Sequence, residues 1–168
     1  MKQVLLFLLL MAAFTALKAQ TTVDTAGIHF KIPAACKSLT ENEAVTRTGE
    51  IIKTLRCNQI SLSYHLTTTF PGSFEHKLED RHQQQQGYMS KSFNKNSSYH
   101  ILDAKIITNV GGIGFSVITY QQHDAVYIQF FSDFNTGNRS LFVRLQYQES
   151  AQAEAMALAK EMMDSVKY

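Results

Sequence analysis

The chain has 168 residues, 45% of them hydrophobic, with 16 Lys plus Arg against 14 Asp plus Glu and a formal net charge of +2. Lys2 and Lys18 fall in the first 19 residues, where no acid occurs, so the remainder carries 14 charges of each sign. With no basic excess and no Lys/Arg cluster, the composition excludes the electrostatic footprint of a nucleic-acid or anionic-lipid binder, and the length suits one domain that can bury its own core.

Residues 1–19 read as a cleavable export leader: Lys2 is the positive start, Val4 to Phe14 is apolar and uncharged, and Ala16-Leu17-Lys18-Ala19 brings small residues before a polar stretch. The apolar run is shorter than the roughly 20 residues that a membrane-spanning helix needs, so cleavage after Ala19 is expected rather than anchoring, with no stable membrane insertion afterwards. Ile32-Pro33-Ala34-Ala35-Cys36 looks faintly like a lipoprotein acylation site, but Cys36 lies beyond Lys18, Asp24 and Lys31 instead of directly after the apolar core. The expected product is secreted, periplasmic or extracellular. It consists of a short polar segment, 20–26, and a single α+β domain, 27–168.

Period-two alternation then predicts strands. Ile28, Phe30 and Ile32 alternate with His29 and Lys31 and stop at Pro33. After a polar stretch from Lys37 to Gly49, Glu50 to Cys57 reads as a strand, and Ile60, Leu62, Tyr64 and Leu66 form one apolar face opposite Ser61, Ser63, His65 and Thr67. Cys36 and Cys57 are the only cysteines; in an oxidising compartment they are expected to form one structural disulfide, the rival being two buried thiols.

Pro71-Gly72 ends that strand, and Ser73 is placed to cap a helix through Phe74, Leu78, Met89 and Phe93 whose middle, Arg81, His82 and Gln85, is polar. A polar loop at 94–98 leads into a meander of antiparallel strands. These run from Tyr99 to Val110, broken by Gly111-Gly112; along Ile113, Phe115, Val117 and Thr119; from Ala125 to Asp133 after a turn at His123-Asp124; and, after Asn135-Thr136-Gly137-Asn138, along Leu141, Val143, Leu145 and Tyr147. Ser150 can cap a last helix whose apolar face is Ala151, Ala155, Leu158, Ala159, Met162 and Val166, widened by Met156 and Met163.

From Ala125 to Phe134 both parities are apolar, which is the pattern of a strand covered on both sides. Two readings follow: helices on both faces of the sheet, or an exposed aromatic binding face made by Tyr120, Tyr127, Phe131 and Phe142.

No catalytic or metal-ligating set stands out, and no cofactor is expected. Ser116 alternates along a predicted strand, where a surface serine is the expectation, and no Gly-x-Ser-x-Gly elbow surrounds it. Glu75, Glu79 and His82 share a helix face, but a carboxylate-bridged metal site needs Glu-x-x-His twice, and a solvated polar face accounts for the single copy. His65 reads as a surface or hydrogen-bonded histidine, and Gly111-Gly112-x-Gly114 lacks the following helix that would hold a phosphate. Asn96-Ser97-Ser98 and Asn138-Arg139-Ser140 match the glycosylation tripeptide and mark exposed loops.

The order of strands, helix, strand meander and helix, opening with Ile28-His29-Phe30-Lys31-Ile32-Pro33 and closing with Met162-Met163-Asp164-Ser165-Val166-Lys167, resembles the PsbP-like and Mog-type superfamily over roughly residues 26 to 168. The resemblance implies an antiparallel sheet sandwiched between helices, in a group made up mostly of accessory, chaperone or partner-binding proteins rather than enzymes. The polar helix departs from the well-packed family helix, and no site motif is carried over. Three functions follow as expectations. The first is a non-enzymatic protein-binding domain of a bacterial cell envelope, immunity-type or chaperone-like, with another envelope or secreted protein as partner. The others are a carrier of a small apolar ligand and a hydrolase with an unrecognised site. An exposed aromatic patch favours the first, an enclosed apolar cavity the second, a cleft with coupled titratable groups the third.

Overall fold

The computed structural model describes residues 20–39, 44–45, 50–68, 77–90 and 99–168. The leader with its cleavage site, the Ser73 cap, Phe74, Glu75, Phe93 and the 94–98 loop lie outside the described residues.

The described chain starts with a hairpin of β1 (Thr21–Thr25) and β2 (Ile28–Ile32), turned on Ala26 and Gly27 at φ of 51° and 72°. The segment expected to be a polar lead-in is thus mostly a strand. Threonine and valine suit β structure, but Val23 alone is drawn partly inward, so the segment has no apolar alternation to betray it.

The remaining strands are β3 (Cys36–Ser38), β4 (Ala44–Val45), β5 (Ile51–Cys57), β6 (Ile60–Thr68), β7 (His100–Thr108), β8 (Gly114–Gln122), β9 (Ala125–Ser132) and β10 (Arg139–Tyr147). Helix α1 (Leu78–Ser90) separates β6 from β7, and a 3-10 turn at Glu149–Ala151 leads into α2 (Gln152–Ser165). The sheet is antiparallel in the order β3-β5-β6-β10-β9-β8-β7, with β4 also pairing on β5. The last strand therefore sits in the middle and joins the early β5–β6 hairpin to the later meander.

Register sorts the side chains. Leu145 lies opposite both Leu62 and Ile128, and Val143 opposite both Tyr64 and Phe130, so one face of the sheet is continuously apolar. That face is covered by α2 and the β1–β2 hairpin: Ile28, Phe30, Ala155, Leu158, Met162 and Val166 are all buried in the same core. The apolar stripe predicted for α2 is the one it buries, with one exception. Met156 is 52% exposed because its side of the helix overhangs the β7–β8 end of the sheet. Ser150 does not cap the helix, which is entered through the 3-10 turn and Ala151 without a side-chain cap bond.

Helix α1 lies on the opposite face, against β7 and β8. Leu78 and Met89 are buried at its two ends. The approach is close: a Cβ on Gly114 would stand 2.7 Å from Leu78 Cδ2, so a larger residue there would push the end of the Leu78 side chain aside. With α2 on one side and α1 on the other, β9 is covered on both faces, as its two apolar parities require. The architecture is an α+β sandwich of sheet between helices.

Candidate functional site

Cys36 and Cys57 are directly opposed on β3 and β5 and form a disulfide, with an S–S distance of 2.00 Å and Cα atoms 4.0 Å apart. Cys57 is fully buried, so the bridge fastens the short edge strand to the core.

Tyr120, Tyr127, Phe131 and Phe142 do share one face, the α1 side. They do not make an exposed patch. Tyr120 and Phe131 are buried, at 2% and 5% exposure. Tyr120 stacks on Tyr127 at 5.0 Å between ring centroids and meets Tyr99 edge-on, with Met89 of α1 in the same cluster. Burial pushes the Tyr120 phenol up to about 12. Phe131 lies under the Arg81 guanidinium, 4.4 Å from its ring centroid. Of the two readings of this face, the covered one describes Tyr120 and Phe131: Met89 of α1 packs with Tyr120, and Arg81 lies over Phe131. Tyr127 and Phe142 remain half-buried, and Phe142 faces the His65 ring at 4.7 Å.

The polar middle of α1 also points at the sheet. Ser116, expected at the surface, is fully buried, and His82, expected on a solvated face, is 8% exposed. His82 Nδ1 lies 2.7 Å from Ser116 Oγ, and its Nε2 meets Gln86 Nε2. A serine and a histidine in contact suggest nucleophilic chemistry, but the hydroxyl is sealed and the outer ring nitrogen meets an amide instead of a carboxylate. The pair satisfies buried polar groups, and burial lowers the His82 pKa. Arg81 adds hydrogen bonds to the Ser132 carbonyl and Ser140 Oγ. Among the described residues no three His, Cys, Asp or Glu side chains are grouped to hold a metal.

The open surface lies on the other face. Between α2 and the β7–β8 end runs a groove of about 430 Å³, floored by Ile107, Val117, Ile128, Ala159 and Met163. Its rim charges pair among themselves: Lys105 Nζ is 2.7 Å from Asp103 Oδ2, and Lys160 bonds Asp164. Past Met156, Thr119 and Asp103 the groove continues into a hollow of about 320 Å³ that reaches Tyr147 and Gln152. The buried Tyr147 hydroxyl has no hydrogen-bond partner among the described residues. Alongside, β7 is the last strand of the sheet, interrupted by a bulge at Leu102, and Leu102 and Ile106 are exposed on it.

Asn109, which sequence reasoning passed over, positions this surface, and Asn135, expected only as part of a turn, is built in the same way. Asn109 and Asn135 hold the β7–β8 and β9–β10 turns in the same way. Asn109 Oδ1 accepts the Gly111 and Ile113 N–H groups, and Asn135 Oδ1 accepts those of Gly137 and Arg139. Each side-chain amide then reaches another element: Asn109 to the Met163 and Val166 carbonyls at the end of α2, Asn135 to the Ala26 and Gly27 carbonyls of the β1–β2 turn. The signal was present as a twice-occurring Asn-x-Gly, in Asn109-Val110-Gly111 and Asn135-Thr136-Gly137.

No protein-family model matches the chain, and no curated protein matches its sequence. Solved structures do match. The solution structure of cyanobacterial PsbP, CyanoP, from Synechocystis sp. PCC 6803 superposes with a TM-score of 0.62 at 13% identity, over 90% of this chain and 94% of that one. The Saccharomyces cerevisiae Ran-binding protein Mog1p gives 0.55 at 12% identity, over 89% and 95%. A Pseudomonas aeruginosa protein of unknown function, PA94, gives 0.52 at 13% identity, over 89% and 96%. The element order, the antiparallel sheet between helices and these superpositions agree: the chain has the PsbP/Mog-like fold.

Proposed function

We propose that this protein is a non-enzymatic partner-binding module of an extracytoplasmic compartment, and that it presents the groove between α2 and β7–β8 to a segment of another envelope or secreted protein. The observation that carries this reading is the groove itself: an apolar floor reaching the surface beside Met156, with its rim charges already paired and an edge strand running along it. Apolar area of this kind stabilises a complex when covered, and a sheet edge adds main-chain hydrogen bonds to an extended partner. The fold serves protein recognition elsewhere, since Mog1p is a Ran-binding protein. The sealing of Ser116 weighs against the hydrolase. The Cys36–Cys57 bridge and the leader layout of residues 1–19 support export from the reducing cytosol.

The test is site-specific photocrosslinking in the native cell, with the photoreactive residue at Met156 and, as a control, at Tyr88 on the exposed side of α1. A discrete protein adduct from position 156 and none from 88 is the expected result. Adducts from 88 alone, or none from 156, would refute the assignment.

A further inference from the structure

A second cavity, of about 720 Å³, lies where β1 meets the start of β5, the end of β6 and the start of β10, toward the opposite edge of the sheet from the groove described above, which is built on β7, β8 and β9. Its size falls in the range of about 300–1,000 Å³ typical of small-molecule sites. Val23, Ile51, Tyr64 and Leu66 give it apolar walls, and among the described residues its charged lining is Arg139, Lys53 and Glu50. The Glu50 carboxylate accepts the Thr68 backbone N–H at 3.1 Å. Arg139 is a half-buried residue, and its guanidinium donates to the Thr68 hydroxyl, a neutral acceptor.

A guanidinium beside apolar walls is matched best by a carboxylate or phosphate, whose two oxygens fit its fork of N–H donors. The walls call for hydrocarbon, and the Arg139 guanidinium calls for an anion. From this combination we infer that the cavity binds a small amphiphile with an anionic head and a single alkyl chain, its head at Arg139 and its chain along Val23, Tyr64 and Leu66. Such a ligand is distinct from the protein segment assigned to the groove, and neither site depends on the other.

The inference is tested with the oxidised, leader-free protein by fluorescence of dansyl-undecanoate and its displacement by palmitate, by lysophosphatidate and by methyl palmitate, which keeps the chain and removes the charge. Saturable dansyl-undecanoate binding is expected, displaced by palmitate or lysophosphatidate but not by the methyl ester; whichever anion is stronger identifies the head group. Arg139→Gln should weaken binding about tenfold or more, as loss of a charge-assisted pair does, while Arg56→Gln, on the other face of the sheet, should not. Leu66→Trp provides a second variant that fills the cavity and should abolish binding; unchanged circular dichroism verifies that each variant folds. Absent probe binding, equal displacement by the methyl ester, or full affinity in folded Arg139→Gln would each overturn the inference. Crosslinking at Met156 reads the other site, so either assignment can fail alone.

Discussion

Asn109 and Asn135 show how much structure one amide can organise. Each holds a turn through its oxygen and ties that turn to a remote element through its nitrogen, so alanine removes both functions while aspartate keeps only the acceptor. Asn135→Ala should cost about 2 kcal/mol in urea unfolding, the scale of buried turn donors left without partners. Asn135→Asp should be at least as damaging, because it sets a carboxylate against the Ala26 and Gly27 carbonyls; unchanged midpoints in both variants would contradict this account. The histidines make a second prediction. Burial lowers the pKa of His82, and burial, followed by opposing effects of Glu50 and Arg144, lowers that of His65. In the unfolded chain both titrate near about 6.5, so between that value and the depressed folded values the unfolded state binds more protons. Their contribution is therefore complete above about pH 6.5 and is lost as the pH falls through the folded values. Urea midpoints measured across this window should decline with acidity, and His82→Gln should flatten the decline; an equally steep decline in the variant would remove His82 from the explanation.

At the scale of elements, α1 docks by polar means. Its middle offers Arg81 and His82 where a packed helix would offer leucines, and the sheet answers with Ser116, Ser132, Ser140 and the Phe131 ring. A helix propensity or amphipathicity argument cannot see this, because the complementary groups lie on β8, β9 and β10. The short strand β3 is fastened by a covalent bond: Cys36–Cys57 closes a loop with a sequence separation of 21. On the chain-entropy estimate such a loop contributes about 3 kcal/mol. Chemical unfolding of the Cys36→Ser, Cys57→Ser double variant should show a loss of that order, and protein taken from its native compartment should resist alkylation until reduced. Free thiols in that material, or a double variant as stable as the parent, would show that the bridge has no such role.

At the scale of the molecule, the two ends of the described chain close on each other. His29 and Lys167 exchange backbone hydrogen bonds of 2.9 and 2.8 Å, Lys31 N–H donates to Ser165 Oγ, and Tyr168 hydroxyl donates to Ser132 Oγ at 2.7 Å. These contacts hold the hairpin against α2 and so shape one wall of the cavity at Arg139. Placing β10 between β6 and β9 leaves β7 at one edge of the sheet and β3 and β4 at the other. That arrangement, set by the whole topology, is what sets an edge strand beside the groove.

Much of this was readable along the chain because strand parity and helix periodicity are local properties. The alternation in Ile28 to Ile32, the doubly apolar β9 and the stripe from Ala155 to Val166 announce their burial in one dimension, and the cysteine pair its bridge. The choice between a covered and an open face at Tyr120 and Phe131, the sealing of Ser116, the exposure of Met156 and both open cavities were not settled along the chain. Each depends on which distant element lies overhead, and a local pattern that says a side chain faces a layer does not say how far that layer extends. Tertiary packing alone decided where the covering helices stop, and the surfaces assigned to binding lie beside those limits.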